Sequence, residues 1–206
     1  MESTVTFRDF EERDIDFIYR CKNDEKLNSM IVGQFRPFSR EDAEKWVHGC
    51  MGEHDTYKFW AIVASDEERR IVGWISLSKI DLENKSASLH GIVIADPAYR
   101  DGFAWIESYV FIFFYAFEVL KLHRLSGENI VGHKSSTAIA HAMGMKDEGI
   151  RRDAVIGIDG KYVDILMYSI LDYEYFLLSH NGEYEVDAII ERLIQNKKNN
   201  KYARIY

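Results

Sequence analysis

The chain is 206 residues long, 47% hydrophobic and 29% charged, with a formal net charge of −8. That composition excludes global disorder, and that length buries a sizeable core as one domain with an appendage. The acidic balance lacks the basic footprint that nucleic-acid binding needs and is compatible with cationic substrates such as amines. Cys21 and Cys50 make neither a disulfide framework nor a zinc pattern, so no metal is expected. The start, MESTVTFRDFEERD, is too polar for a signal peptide or anchor, and the most apolar run, Tyr109 to Phe117, is too short to span a bilayer. A cytoplasmic protein with no membrane or nucleic-acid partner is the expectation.

Val5 to Phe7 reads as a first short strand, and Glu11 to Asn23, with Ile15, Ile18 and Tyr19 at helical spacing, as a first helix. Ser39, three residues ahead of Asp42, makes a capping-box variant that starts a second helix through Trp46 and Val47. Tyr57 to Ala64 and Ile71 to Leu77 are rich in β-branched and aromatic residues and flank the charged turn SDEERR, which predicts an antiparallel hairpin. Gly73 inside its second strand marks a bulge or a close approach by another element. Leu89 to Ala95 reads as a buried strand, Asp96 to Phe103 as a tight loop, and the next helix as running to about Leu120. Leu125 to Val131 is a further strand. Ser135 or Ser136 then caps a short helix, Thr137 to Met143, that stops at Gly144. Asp153 to Ile158 and Tyr162 to Leu171 form a last hairpin about the turn Asp159-Gly160. The remainder holds a helix near Val186 to Ile194, with Ile189, Ile190, Leu193 and Ile194 on one side, and a basic end with Lys197, Lys198, Lys201 and Arg204. The order predicts an α+β fold: a mixed, mostly antiparallel sheet with helices on its faces and a helical C-terminal extension.

The stretch from Ser88 to Phe117 is the most informative. A strand running into a loop that opens a helix is an anion site, because the first helix amides lack internal partners and the helix dipole is positive there. Arg100 adds a full charge to that loop, which points to phosphate binding. Phe103 and Trp105 are bulky where phosphate-gripping loops carry glycine.

In this order, KNDEKLN, PFSREDAEKW, FWAIVASDEERRIVGWISL, IADPAYRDGFAWIE, YAFEVLKLHRL and AMGMKDEGIRRDAVIGIDGKYVDILMYSIL make the chain resemble the GNAT N-acetyltransferase superfamily from roughly Val5 to Tyr175. The branch closest in style holds ribosomal-protein N-terminal, spermidine and nucleotide-sugar amine acetyltransferases. The resemblance implies residues 1–175 as the acetyltransferase domain and 176–206 as the extension. It implies transfer of acetyl from acetyl-CoA, as cosubstrate, to a primary amine by direct attack in a ternary complex. Carried onto this sequence, the pantetheine pairs with the strand at Ile92, Val93 and Ile94. The pyrophosphate lies on the loop of Arg100, Asp101, Gly102, Phe103, Ala104 and Trp105, and Ser136 adds a contact from the short helix. The acceptor stays open among a peptide N-terminus, a polyamine and an amino sugar on a nucleotide, and a homodimer is a further partnership to consider.

Two departures from the family pattern support a second class of function. Anchored on Pro97-Ala-Tyr-Arg100 and Tyr115-Ala-Phe117, the loop puts Phe103 and Trp105 on the two small-residue positions; a one-residue deletion would put Gly102 and Ala104 there instead. A side chain at the first of these crowds a pyrophosphate, and Asp101 brings negative charge towards it. Aligned on Gly144, the family's asparagine position is His133, its tyrosine position Ala140 and its phenylalanine position Met145. The alternative is therefore a GNAT-like domain with weakened or lost acetyl-CoA binding that acts as a binding or regulatory module.

Four residues are candidates for the chemistry. His133 follows a strand beside the expected cleft and is either a proton relay or a loop histidine. Glu128 orients an amine or acts as base through water, or is an ordinary strand carboxylate. His90, at the start of the central strand, stands near where some members carry an acidic base, or is an edge histidine. Tyr168 reaches the thioester sulfur from the last strand, or packs in the core. Phe111, Phe113, Phe114 and Phe117 cover more than one helical face and read as core. Phe103 and Trp105 make an exposed apolar patch, plug the cofactor mouth, or turn in under the helix.

Overall fold

The computed structural model describes residues 3–28, 36–52, 54–157 and 159–198, and all that follows concerns these residues. The chain opens with β1 (Val5–Arg8), α1 (Ile15–Lys22), the one-turn α2 (Glu25–Asn28) and α3 (Arg40–Cys50). The hairpin β2 (Tyr57–Ala64) and β3 (Ile71–Asp81) leads into β4 (Ser86–Ile94) and α4 (Phe103–Phe114). After β5 (Arg124–Ile130) and α5 (Lys134–Ala142) come the hairpin β6 (Lys146–Ile156) and β7 (Tyr162–Leu171), then α6 (Asp172–His180) and α7 (Val186–Lys198). The seven strands form one sheet in the order β1-β2-β3-β4-β5-β7-β6. Every pairing is antiparallel except that of β4 with β5. This is the mixed, mostly antiparallel sheet that the element order implies.

Strand alternation divides the sheet's two faces between two cores. Trp60, Ile62, Ile75 and Leu77 pack with Ile112, Phe113 and Phe117 from α4 and its continuation. Ala61, Val63 and Trp74 face the opposite way and pack with Ile18 of α1 and Val47 of α3. Helix α4 widens into a π-helical turn over Tyr115–Val119, so the helical run ends near Leu120 as expected. Phe114 is the exception to the core reading, being 53% exposed, whereas Phe111 stacks on Phe7 with ring centroids 4.0 Å apart. Close to the site, a Cβ on Gly73 would lie 2.0 Å from the Val93 carbonyl oxygen. Both expectations for that glycine are met, because the β2–β3 register also slips beside it, from Ile62↔Gly73 to Val63↔Ile71.

Several elements differ from the sequence expectation: β3 runs on to Asp81 rather than Leu77, β4 starts at Ser86 rather than Leu89, and α7 runs on to Lys198. β6 begins at Lys146 rather than Asp153, because its first half is a polar edge with no apolar alternation and is held as a strand by pairing with β7. α6 lacks a two-sided pattern that would have marked it; Tyr175, 5% exposed, is the side chain that ties it down, stacking on Phe117 at 4.7 Å. α5 starts one turn early, for the reason given below. The last residue of the expected strand, Ile158, and the basic Lys201 and Arg204 lie outside the described residues. No helix among the described residues is long and apolar enough to cross a membrane.

The start of α3 follows the predicted capping box. The Ser39 hydroxyl accepts from the Asp42 N–H at 3.1 Å, and the Asp42 carboxylate accepts from the Ser39 N–H at 3.0 Å. Ser39→Ala should lower unfolding free energy by about 1 kcal/mol in urea titration; an unchanged midpoint would show that packing of Val47 and Ala43 holds α3 without its cap.

Candidate active site

β4 and β5 pair at Ser86↔Arg124, Ala87↔Leu125 and Ser88↔Ser126, and no further among the described residues. Beyond that point β4 stays on β3 as far as Ile94↔Gly73, and β5 stays on β7 as far as Ile130↔Ile165. Each strand keeps one neighbour and loses the other, so a cleft opens in the middle of the sheet. The facing edges carry backbone groups able to pair with an extended ligand.

On the β4 side the cleft begins at a bulge. The β3–β4 register passes from Ile75↔Ile92 to Leu77↔Leu89, so Ser76 faces both His90 and Gly91. Gly91 takes φ +78°, a conformation that suits glycine, and the fully buried Ser76 hydroxyl donates to the His90 carbonyl. A bulge of this kind re-aims the peptide groups around it. It stands immediately before Ile92, Val93 and Ile94, the segment expected to pair with a pantetheine.

On the β5 side a polar cluster fills the base of the cleft. Gly127 pairs with Tyr168 across the β5–β7 ladder. The Tyr168 ring lies so close over it that a Cβ on Gly127 would be 2.4 Å from Tyr168 Cε2. The Asn129 amide lies 3.0 Å from the Tyr168 hydroxyl and 3.1 Å from the Ser136 hydroxyl, oriented so that its oxygen also accepts from the Thr137 N–H at 3.3 Å. Tyr168 also hydrogen-bonds Tyr109 of α4 and Ser136 of α5. Burial pushes the Tyr168 phenol far up, and the neighbouring Tyr109 adds to the shift. Burial pushes Tyr109 up to about 12, with its bonds to Ser136 and Tyr168 pulling the other way. Both phenols are therefore protonated at neutral pH and present donors. They line a cavity of ≈ 40 Å³ together with Gly91 and Ile92 of β4, Trp105 of α4 and Asn129.

The loop before α4 is less open than an anion cradle. Gly102, at φ +108°, turns the chain into the helix, and the Asp101 carboxylate accepts from the Phe103 N–H at 3.0 Å. A carboxylate thus sits on the first free amide of α4, where a phosphate oxygen would sit. Arg100 turns back and donates to the carbonyls of Ile94 at 2.9 Å and Ala95 at 2.6 Å, bracing the loop against the end of β4. Trp105 is partly buried against the main core and lines the cleft beside Tyr109. Of the expected fates, inward packing is the one its contacts show, with one side left on the cavity. Ala104 is buried and Phe103 is half-buried beside it.

The remaining candidates divide. Glu128 lines the cleft, with its carboxylate paired to Arg151 of β6. His90 is exposed on the bulge. His133, rather than Ser135 or Ser136, caps α5: its Nδ1 accepts from the Ser136 N–H at 3.4 Å, after Gly132 turns the chain at φ +94°. That cap starts the helix at Lys134 and carries Ser136 into the cleft cluster. Ala140 is fully buried, so the short helix offers no hydroxyl there. Sequence reasoning missed Tyr109, Asn129 and Gly127. Tyr109 was hidden in an apolar run, while Gly91 and Gly127 carried the signal of isolated glycines inside strands.

The sequence profile of the acetyltransferase (GNAT) domain matches residues 4–146. The chain belongs to the GNAT acetyltransferase family. A Bacillus subtilis GNAT relative, YdaF, named as a candidate ribosomal N-acetyltransferase, is 32% identical over 105 residues, which span 51% of this chain and 56% of that protein's length. The spermidine N-acetyltransferase of Vibrio cholerae, solved in complex with CoA and spermine, superposes with a TM-score of 0.73 at 20% identity over 84% of this chain and 98% of its own. A GCN5-related N-acetyltransferase from Brucella melitensis gives a TM-score of 0.73 at 20% identity over 91% of this chain and 85% of its own. At these identities the likeness to solved structures is one of fold.

Burial pushes the His133 pKa down, which keeps the cap neutral and able to accept a hydrogen bond. A folded pKa below the unfolded value means that this contribution is complete above about pH 6.5 and fades as pH falls below it. His133→Asn, which caps without titrating, should reduce the loss of stability between pH 7 and pH 5 in urea unfolding. Equal losses in the two proteins would remove His133 from the cap's pH dependence.

Proposed function

We propose that this GNAT domain transfers an acetyl group from acetyl-CoA to a primary amine by direct attack in a ternary complex. The observation that carries the reading is the parting of β4 from β5, which sets a bulged strand edge opposite the Tyr168 hydroxyl. Bound there, acetyl-CoA supplies an activated acyl carbon and a sulfur leaving group. The strand face of the cleft fits such a ligand: the backbone at Ile92, Val93 and Ile94 lies on the freed edge, and the bulge at His90 and Gly91 is the source of a backbone donor for a developing oxyanion. Ser136 faces the same space from α5. His90, exposed on the bulge, takes the proton that the amine must lose before attack and passes it to solvent, while His133 serves as the neutral cap of α5. Glu128 attracts a cationic acceptor in competition with Arg151. The catalytic unit is read as residues 1–175, with 176–206 as its extension, in a cytoplasmic protein.

A polyamine and a peptide N-terminus are the acceptors that the relatives favour, through the spermidine enzyme of Vibrio cholerae and YdaF. An amino sugar on a nucleotide is the third. The loop favours a second reading. Asp101 on the Phe103 amide and Trp105 on the cavity wall both oppose acetyl-CoA, and a cavity of ≈ 40 Å³ is far too small for its thioester arm unless its lining rearranges. A GNAT domain with weakened cosubstrate binding, serving as a binding or regulatory module, follows if that rearrangement does not occur.

Millimolar acetyl-CoA should raise the melting temperature of the native chain, since a ligand of the folded state adds to its stability. Asp101→Asn and Trp105→Ala should each tighten binding in calorimetry, by about tenfold or ~1.4 kcal/mol. Thiol release should then follow with spermine, a peptide N-terminus or a nucleotide-linked amino sugar. The absence of any stabilisation in wild type and both variants sinks the enzyme reading and leaves the module.

A further inference from the structure

A GNAT reaction expels a thiolate, and here the short helix α5 carries Ala140, fully buried, where the resemblance places a tyrosine. A phenol nevertheless reaches the cleft, from a different strand. We propose that Tyr168 of β7, laid across Gly127 and held by Tyr109, Asn129 and Ser136, is the catalytic donor to the departing sulfur, and that the missing side chain at Gly127 is what lets it reach the site. This rests on the acetyl-transfer reading above.

Three observations carry it. Tyr168 is 2% exposed yet lines the cleft cavity, and its hydroxyl lies among Tyr109, Asn129 and Ser136, each of which lines the same cavity. Gly127 has no conformational need to be glycine: it lies in regular β5 backbone, outside the positive-φ glycines. What it provides is space, because any Cβ would meet the Tyr168 ring at 2.4 Å and push it out of the cleft. The hydroxyl is then fixed from three elements, by Tyr109 on α4, Asn129 on β5 and Ser136 on α5. Those three act through Tyr168 and are positioning residues.

The chemistry balances. Tyr168 gives its phenolic proton to the sulfur as the C–S bond breaks and the bond's electron pair moves onto sulfur. The proton that the amine sheds on forming the C–N bond then returns the phenolate to phenol. Burial keeps Tyr168 protonated throughout the working pH range, so the donor is always present. The same water-poor setting raises the proton affinity of a departing thiolate, which makes a reluctant phenol a usable acid.

Tyr168→Phe keeps the ring and removes the donor. With acetyl-CoA and whichever of spermine, a peptide N-terminus or a nucleotide-linked amino sugar wild type accepts, kcat should fall about 100-fold, with KM for acetyl-CoA and the melting temperature little changed. Gly127→Ala should lose kcat to a similar degree, and the double variant should be no slower than Tyr168→Phe alone, since both changes remove one interaction. An aryl thioester, whose more acidic thiol leaves without a proton, should bring the wild-type to Tyr168→Phe rate ratio towards one; a merely structural role for Tyr168 leaves that ratio as it is with acetyl-CoA. If Gly127→Ala does not fold, Tyr168→Phe and the aryl thioester decide the matter. Wild-type turnover with an unchanged rate in Tyr168→Phe overturns this inference alone. A wild type that releases no thiol with any of the three acceptors removes the acetyl-transfer reading, and this inference with it.

Discussion

The molecule depends on a pairing that stops. β4 and β5 join for three residue pairs and then separate, while each remains bonded to its other neighbour. A backbone edge in the middle of a sheet must find partners other than a strand, from solvent or from a ligand. The surrounding elements keep the cleft open. On one side, the bulge at His90 and Gly91, held by the buried Ser76 hydroxyl, bends β4 away. On the other, β5 is drawn onto β7 along seven consecutive pairs, and the Tyr168 ring wedges across Gly127 at the point of divergence.

The two walls of the cleft make opposite electrostatic statements. The base holds two buried phenols with the partly buried Ser136 hydroxyl and Asn129 amide, a set of hydrogen-bond donors at neutral pH. The start of α4 carries Asp101 on a helix amide, with Trp105 bordering the cavity, an arrangement unfavourable to an anion at that amide. Arg100 does not reverse that balance, since its guanidinium is turned onto the carbonyls of Ile94 and Ala95. In the proposed reaction Asp101 and Trp105 would bear on affinity and Tyr168 on rate.

Much of the fold was legible in the sequence because local signals coincided with tertiary roles. Ser39 and Asp42 capped the helix they announced, the β2–β3 hairpin followed its β-branched pattern, and Gly73 marked a real close approach. Legibility failed where pairing or position alone decided. The first half of β6 is a strand only because β7 is beside it, and His133 caps α5 because Gly132 turns the chain under it. The site was half legible. Tyr168 and Ser136 were singled out and do meet in the cleft. Tyr109 was not, because an apolar helical run gives no sign of which hydroxyl will point into a cavity. Asn129 and Gly127 flank the exposed Glu128 on β5, and only the β5–β7 register shows that Gly127 makes room for a tyrosine 41 positions further on.

Hydrogen–deuterium exchange with and without acetyl-CoA tests most directly whether the gap between β4 and β5 is an acyl-donor site. The account predicts added protection at residues 91–94 and at the start of α4, with β1, β2 and β3 unchanged. Protection that appears elsewhere, or exchange in β4 that acetyl-CoA leaves as it was, would contradict it.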